Sequence, residues 1–471
     1  MKREKQQLYF IIIVLISIIL AASFVIYKLD LMRSSTPSDI PWQNPIEHPA
    51  TFIAVDDEKV YITDDTGNVR CFASQNGEDL WNASVGGYVS HYWREHRIAI
   101  IENRLYVAYE NARVSCFDKN NGTLLWTIQN AMNEGYFYRY PSLTFEDDLM
   151  YVITDGISAR VAITGELLWE VNPFLEHYPD YQTRVYLLGG NFLDEEFVYA
   201  AGDDFSNMHY YKINIKTGNI VWRSNVTWDG SLFALGGYFI PSIAANVQGR
   251  SIISMIYEGT SYSNQLICLD SNSGEELWSI DVGVDEGQVP ILYGSTVYND
   301  LFLFAKADGY LYAVNVMKGK IEWKAKVDTD NLFSYNSAFS GQIQASSIQI
   351  DDQNQRLFWC LNVAESGPLQ NSTGTLCNLD LSNGNVNWIK HLENENASLG
   401  TLSLAYNNET DKIFLTKNKG LWIFEAATGD LVQSKQFEDY VLPPVFQGDE
   451  TFIVADLRLF AIPNQENEKK G

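Results

Sequence analysis

The chain has 471 residues, of which 46% are hydrophobic, 13% aromatic and 20% charged. This composition is typical of a folded, β-rich protein and excludes a disordered chain. The 33 basic and 59 acidic residues leave a formal net charge of −26. Because a surface this acidic repels polyanions, we expect no nucleic-acid partner.

The N-terminus predicts a membrane anchor. Residues 9–27 form an uncharged apolar run long enough to span a bilayer as a helix. Basic residues come before the run, which predicts a cytoplasmic N-terminus and places the rest of the chain outside the cytoplasm. A cleaved signal peptide ending near Ala21-Ala22-Ser23 is the alternative, although the apolar run continues beyond it. We therefore expect residues 1–28 to be a cytoplasmic stub and an uncleaved transmembrane signal anchor of a single-pass membrane protein.

Two polar segments flank the central part of the chain. Residues 29–50 contain four prolines and predict an extended tether. Residues 464–471, NQENEKKG, predict a polar tail. Between the two segments, residues 51–463 contain a sequence repeat.

The repeat ends in Gly-x-x-x-Trp. Seven copies follow one another, and an eighth has Gln433 in place of the tryptophan. The copies recur at intervals of about 43 to 65 residues, a period typical of four-stranded propeller blades with loop insertions. The repeated residues are Gly77, Trp81, Gly122, Trp126, Gly165, Trp169, Gly218, Trp222, Gly274, Trp278, Gly319, Trp323, Gly384, Trp388 and Gly429.

Each period predicts four short strands. In 287–325 the apolar segments 289–293, 301–305, 310–314 and 321–325 are separated by polar or glycine-containing turns. Short β-rich segments with such turns predict an antiparallel meander. No segment after the anchor shows a convincing helical period. The sequence therefore predicts an all-β fold of four-stranded antiparallel blades.

The constant residues have separate physical roles. The glycine suits a hairpin turn with positive φ. A short polar residue often lies four positions earlier and can bond the turn amides: Asp118, Asn214, Asp270, Asn315 and Asp380. A small residue often lies six positions before the glycine and leaves space for the tryptophan to pack: Cys71, Cys116, Ala159, Cys268 and Ala313.

The pattern A-x-D-x-x-T-G-x-x-x-W is similar to the tryptophan-docking motif of PQQ-type quinoprotein β-propellers, as Ala313, Asn315, Gly319 and Trp323 illustrate. The resemblance covers 51–463. It implies that each tryptophan stacks between neighbouring blades and that the motif cysteines act as small buried hydrophobic residues. Departures from the motif predict looser blades; they are Val161, Lys212, Asn378 and Gln433.

The number of blades follows from how the ring closes. Residues 441–463 supply three further strands after the eighth repeat but no fourth. A strand near Trp42, within 40–44, could complete this sheet, so that no edge is left at the ring closure. Literal counting gives nine sheets, whereas family precedent favours eight. We expect eight blades and keep nine open.

The enzymes of this family imply a site that the chain does not match. They use an adjacent Cys-Cys pair, a calcium ion held by Glu and Asn, and an Asp base. This sequence has no adjacent cysteine pair and no C-x-x-C-H haem motif. The acidic segments 193–196 and 351–355 predict solvated turns rather than calcium sites. We assign no catalytic or metal-binding residue and expect no cofactor, with PQQ and calcium as the alternative.

The functional leads are loops. Segments 130–141, 172–184 and 328–342 are rich in Tyr and Phe and link an outer strand to the next inner strand. They should emerge on one face, either to bind a protein or glycan or only to pack over the blades. His91 and His96, which flank Trp93-Arg94, could line a rim site or lie in an ordinary surface loop.

Six sequons are candidate N-glycosylation sites: Asn82, Asn121, Asn225, Asn371, Asn396 and Asn408. They fit an exposed extracellular domain, although chance alone would give roughly four such matches.

The sequence therefore predicts a membrane-anchored extracytoplasmic propeller that binds a cell-surface or periplasmic-side protein or glycan as a scaffold. Non-enzymatic members of the family include the assembly lipoprotein of the outer-membrane barrel machinery. This chain has no lipobox cysteine, so that specific role is not carried over. A quinoprotein-like oxidoreductase that binds PQQ is the alternative.

Overall fold

The structure is a computed structural model that describes residues 42–463 apart from several gaps. The gaps are 57, 85, 88–97, 110–112, 130–141, 154–156, 172–192, 195, 204–206, 228–241, 259–261, 283–291, 307–309, 327–347, 365–371, 393–401, 418 and 448–449. The predicted anchor, the first part of the tether and the tail lie outside the described residues. Within the described part, no helix is long and apolar enough to cross a membrane.

The described residues form nine four-stranded antiparallel sheets. We number the sheets as blades 1–9. The strands of blades 1–4 are β2 (Ala50–Val55), β3 (Lys59–Asp64), β4 (Asn68–Ala73) and β5 (Asp79–Ser84); β6 (Ile98–Ile101), β7 (Arg104–Tyr109), β8 (Arg113–Asp118) and β9 (Leu124–Gln129); β10 (Ser142–Glu146), β11 (Leu149–Ile153), β12 (Ile157–Val161) and β13 (Leu167–Val171); β14 (Leu193–Asp194), β15 (Phe197–Asp203), β16 (Asn207–Asn214) and β17 (Ile220–Thr227).

Blades 5–8 have the same order. Their strands are β18 (Ser242–Val247), β19 (Arg250–Glu258), β20 (Tyr262–Asp270) and β21 (Glu276–Asp281); β22 (Leu292–Tyr298), β23 (Leu301–Lys306), β24 (Tyr310–Asn315) and β25 (Lys320–Lys326); β26 (Ile348–Asp351), β27 (Arg356–Ala364), β28 (Ser372–Asp380) and β29 (Val386–Leu392); β30 (Leu402–Asn407), β31 (Lys412–Lys417), β32 (Gly420–Glu425) and β33 (Leu431–Gln436).

Blade 9 combines the two ends of the propeller. It contains β34 (Val445–Gln447), β35 (Glu450–Ala455), β36 (Arg458–Pro463) and, as its fourth strand, β1 (Trp42–Pro45). Trp42 pairs with Ala461 and Pro45 pairs with Arg458. The prediction of a ring-closing strand near Trp42 is therefore confirmed, and this part of the expected tether belongs to the propeller.

The structure has nine blades, which is the number that the sequence analysis kept open. Eight blades consist of four consecutive strands each, one for every repeat, and the composite blade is the ninth. The expected number of eight is one short, because the three strands of 441–463 and β1 form a complete sheet of their own rather than part of another blade.

The nine blades form a closed ring. First strands of neighbouring blades contact each other, such as β2 with β6 and β22 with β26, and β2 also contacts β34 of blade 9. First strands are therefore innermost and fourth strands outermost. Apolar clusters fill the space between blades; one joins Leu303 of blade 6 to Trp359 of blade 7, and another joins Phe72 of blade 1 to Phe452 of blade 9. Burial between blades stabilises the ring, because a single blade cannot cover its own apolar faces.

Antiparallel strands divide the connections between two faces. The links between successive blades and the turns between second and third strands lie on one side, which we name the loop face. The turns between first and second strands and between third and fourth strands lie on the other, the turn face. The aromatic segments 130–141, 172–184 and 328–342, which were predicted to emerge on one face, lie outside the described residues.

Candidate functional site

The repeated tryptophan contacts the glycine of the next blade. Gly319 has a φ of +63°, and a Cβ added there would lie 2.6 Å from Cγ of Trp278 in blade 5. The same relation joins Trp42 to Gly77, Trp81 to Gly122, Trp126 to Gly165, Trp169 to Gly218, Trp222 to Gly274, Trp323 to Gly384 and Trp388 to Gly429. The glycine is therefore required twice, for the positive φ of its turn and for the close approach of an indole from the neighbouring blade.

The indole N–H fixes this contact. Nε1 of Trp278 donates to the carbonyl oxygen of Val316, at 2.9 Å, three residues before Gly319. Equivalent bonds to the third residue before the glycine are made by Trp42, Trp81, Trp169, Trp222 and Trp388. Each of these six turns thus offers one carbonyl and one glycine to the tryptophan of the preceding blade.

The small position lies opposite the tryptophan. Trp278 pairs with Cys268, and Trp81 and Trp126 pair in the same way with Cys71 and Cys116. All three cysteines are buried, and burial raises the pKa of each thiol to about 12. These thiols therefore stay protonated and act as small hydrophobic groups.

Two polar residues at the small position add contacts between blades. Nζ of Lys212 donates to Ser271 O at 2.9 Å, the carbonyl that also accepts from Trp222. Nδ2 of Asn378 donates to Ala426 O at 3.2 Å, which also accepts from Trp388. Because each side chain adds a bond to the next blade, these contacts argue against the looser packing expected for them.

Blade 9 explains the missing tryptophan of the last repeat. Its third strand ends at Pro463 and its fourth begins at Trp42, so no turn with a glycine joins them. Gln433 of blade 8 therefore has no glycine to contact. The sequence predicted Trp42 only as part of a strand and did not predict its contact with Gly77. The available signal was the number of residues between Trp42 and Gly77, which resembles the spacing of the other tryptophan–glycine pairs.

An exposed apolar surface marks the loop face at the ring closure. Tyr440 lies in the link between blades 8 and 9 and is 57% exposed, and Leu457 lies in the turn between β35 and β36 and is 39% exposed. We name these two side chains, with Glu438, Asp439 and Asp456, the closure patch.

Hydrogen bonds hold the closure patch in place. The Asp456 carboxylate accepts from the backbone N–H of Glu438 at 2.5 Å and of Asp439 at 2.7 Å. Leu457 O accepts from Ile46 N, at 2.8 Å, next to β1. The patch therefore connects the last repeat, the composite blade and the N-terminal strand.

The backbone of the turn is unusual for its residues. Asp456 and Leu457 have φ values of +50° and +53°. Two successive positive φ values characterise a tight type I′ hairpin turn, in which Asn-Gly or Asp-Gly is preferred. A leucine is costly in this region and is a reason to look for function at the turn.

The base of the patch is apolar and rigid. Phe437 and Val441, on either side of Tyr440, are buried in a cluster with Phe460. Nζ of Lys435 lies 4.9 Å from the ring centroid of Phe437 and 5.0 Å from that of Phe460. Burial lowers the pKa of Lys435, while Asp456 acts in the opposite direction. Tyr440 is thus presented outward between two anchored neighbours.

The chemistry of the patch suits binding. Two outward apolar side chains are flanked by the carboxylates of Glu438, Asp439 and Asp456. Two exposed cations lie nearby: Arg458, which follows Leu457, and Lys419, which bonds Glu438 O. Such a surface complements a partner with apolar and basic side chains.

The described residues contain no cluster that could hold the calcium of a quinoprotein site. Within them, no group of three or more His, Cys, Asp or Glu side chains is close enough to hold a metal ion. All five cysteines are buried, and none is adjacent in sequence to another. We therefore derive no chemical step through a quinone.

The remaining predicted residues are dispersed. Asn82, Asn121 and Asn408 are exposed, and Asn225 lies in β17. Asn371, Asn396 and the His91–His96 segment lie outside the described residues. The acidic segment 351–355 forms a turn, in which Asp351 accepts from Asn354 and pairs with Arg356. It is a structural turn between β26 and β27 of blade 7, and Arg356 also bonds Asp411 of blade 8.

Comparison of the sequence with models of protein families identifies the family of this chain. A family model described as "Outer membrane protein assembly factor BamB" matches residues 33–176 and 211–469. The chain belongs to this family. No curated protein matches this BamB-family chain.

Solved structures that are similar to this BamB-family propeller have low sequence identity to it. BamB from Moraxella catarrhalis is 11% identical, covers 91% of this chain and 99% of its own, and has a TM-score of 0.45. A quinohemoprotein alcohol dehydrogenase from Comamonas testosteroni is 11% identical, covers 90% and 76%, and has a TM-score of 0.51. The computationally designed Ika8 protein is 12% identical, covers 89% and 98%, and has a TM-score of 0.47.

Proposed function

We propose that this chain is a protein-binding scaffold that presents its loop face to a partner, with the closure patch as one contact site. The observation that carries the proposal is the outward position of Tyr440 and Leu457 on a frame fixed by Asp456. Apolar anchors surrounded by polar groups are the usual centres of protein interfaces. Membership of the BamB family supports a scaffold role.

The proposal includes a location. Residues 9–27 anchor the chain in a membrane, with the propeller outside the cytoplasm, and the partner is a protein on the same side. The chain needs no cofactor for this role.

Site-specific photo-crosslinking tests the proposal. A photo-reactive amino acid at position 440 should give a reproducible crosslinked partner in cells, whereas the same residue at Leu277, on the outer edge, should not give this product. A second substitution, Leu457→Gly, should reduce the product at least about fivefold. Because glycine tolerates positive φ, this variant removes the side chain without destabilising the turn.

Three results would contradict the proposal. Equal products from positions 440 and 277 would show that the patch has no specific partner. Specific binding of the purified chain to a glycan array, without a crosslinked protein, would assign the patch to a glycan. Saturable binding of PQQ with calcium, accompanied by dye reduction, would instead support the oxidoreductase alternative.

A further inference from the structure

A second exposed apolar surface lies on the outer edge of blades 2 and 3, away from the closure patch. It consists of five aliphatic side chains, each between 44% and 49% exposed. We name them the rim cluster: Leu124, Leu125, Ile163, Leu167 and Leu168.

The two halves of the rim cluster are held together by the contact between the blades. Trp126 lies against Gly165, and its Nε1 donates to Ile163 O at 3.0 Å. Leu124 and Leu125 come immediately before Trp126 in β9, and Leu167 and Leu168 follow Gly165 in β13. The cluster is therefore a fixed surface that spans a blade junction.

The rim cluster is not a general property of the repeat. The position of Ile163, two residues before the glycine, is polar in most other repeats: Gln75, Asn120, Lys216, Asn272 and Ser382. The two positions before the tryptophan include a carboxylate in blades 1, 5 and 6: Asp79, Glu276 and Glu322. Blades 2 and 3 are consecutive, each has Leu-Leu at these positions, and an isoleucine lies between the two pairs.

The neighbouring sheet edge is also unprotected. Among the described residues, β9 pairs with β8 alone and leaves one edge of its backbone without a strand partner. Its sequence, LLWTIQ, contains no charged residue and no proline, whereas each of the other eight fourth strands contains one or the other. Charged residues and prolines are the usual protection of an edge strand against pairing. The edge of β9 is therefore open to a further strand.

The charges around the rim cluster indicate what kind of polypeptide segment could pair with β9. Glu166 and Glu170 lie at the two ends of the Leu167–Leu168 pair. With a formal net charge of −26, a second copy of this chain would be repelled. A segment that carries aliphatic and basic side chains complements both the cluster and its carboxylates.

We propose that β9 binds an extended, basic segment of another protein, which adds as a fifth strand to blade 2 and places aliphatic side chains on the rim cluster. Backbone hydrogen bonds to β9 supply part of the affinity. Alternate side chains of the added strand contact the rim cluster and supply specificity, as in other strand-addition complexes. This surface is separate from the closure patch and does not depend on the function proposed for that patch.

A model peptide tests the proposal. The probe is a fluorescein-labelled octapeptide of alternating Leu and Lys, added to the full-length chain in detergent and followed by fluorescence anisotropy. The chain is produced without N-glycosylation, because a glycan on Asn121 would lie beside β9. We expect saturable binding that weakens at least about tenfold in a variant with Leu125→Ser, Ile163→Asn and Leu168→Ser.

Matched controls separate binding at the rim cluster from non-specific hydrophobic binding. A variant with Leu80→Ser and Leu277→Ser, which changes equivalent exposed leucines on blades 1 and 5, should bind like the unchanged chain. A peptide with Glu in place of Lys should bind at least about tenfold more weakly. A peptide N-methylated on every second amide should also lose binding, because it cannot pair along β9; this result requires no change in the protein.

Three outcomes of the peptide-binding experiments would overturn the proposal. They are equal binding by the triple variant, equal binding by the Glu peptide, and undiminished binding by the N-methylated peptide. A dimer in sedimentation experiments that the triple variant abolishes would also overturn it, because the occupant would then be a second copy. Substitutions at Tyr440 and Leu457 should leave peptide binding unchanged, so this test and that of the closure patch can fail separately.

Discussion

The indole of Trp278 lies against Gly319 of the following blade, not against Gly274 of its own repeat. The other repeat tryptophans, and Trp42, contact the repeat glycine across a blade junction in the same way. The motif is therefore a connection between repeats, and its two halves act in different sheets.

Replacing Trp278 by alanine should destabilise the ring. The variant loses the packing of the indole on Gly319 and the bond to Val316 O, and we expect a loss of about 3–5 kcal/mol in the free energy of unfolding. Equilibrium unfolding in guanidinium measures it. Gln433→Ala is the control at the position without a partner glycine and should cost less than about 1 kcal/mol. Unchanged unfolding of Trp278→Ala would refute the contact.

Gly319→Ala should lower the free energy of unfolding for two reasons, a steric clash and an unfavourable backbone conformation. A second variant separates these two contributions. The new methyl group would meet Trp278 at 2.6 Å, at a φ of +63°. Gly86 has nearly the same φ, +64°, but nothing lies within 4 Å of its added Cβ. We expect about 1–2 kcal/mol for Gly86→Ala, from the backbone alone, and at least about 3 kcal/mol for Gly319→Ala. Equal losses in thermal or denaturant unfolding would exclude the steric contribution.

Trp42→Ala should open the ring closure. Trp42 contacts Gly77, and its Nε1 donates to Ser74 O at 2.9 Å, while β1 itself has only four residues. We expect a loss of about 3–5 kcal/mol together with faster proteolysis near β1 and β36. Gln43→Ala, an exposed residue of the same strand, is the control. If both variants resist protease equally, β1 does not close the ring.

Lys417 should make stability depend on pH. The side chain is 1% exposed, and burial lowers its pKa to about 8 from 10.5. Between these values the unfolded chain binds more protons than the folded one, so stability increases as pH rises from about 8 to 10.5. Relative to Lys417→Met, the wild-type chain should gain up to about 3 kcal/mol across this window. Denaturant unfolding of both at several pH values measures the difference, and a constant difference would contradict the shift.

Local chemistry was predictable from the sequence. Oδ1 of Asp270 accepts from the backbone N–H groups of Asn272 and Ser273, both at 2.9 Å, as the turn pattern predicts. Such bonds join neighbours in the chain, so a few residues contain all the necessary information. The four strands of each repeat were predictable for the same reason, because alternation and turns are local.

Long-range relations were not predictable in the same way. Nothing within the segment from Gly274 to Trp278 indicates that its two ends contact different blades. The number of blades depended on whether β1 joins β36, which no local pattern decides. The exposure of Tyr440 depends on the burial of Phe437 and Val441 in a neighbouring sheet. The only local signal for the closure patch was a leucine in a turn that favours glycine.

The composite blade has a consequence for synthesis of the protein. β1 is made before any blade, whereas β36 is made after all the others, so the ring cannot close until translation of the propeller is complete. Gly77, however, belongs to blade 1 and is available early. Trp42 can therefore rest on blade 1 during translation, which keeps the first strand near the position where the last one will arrive.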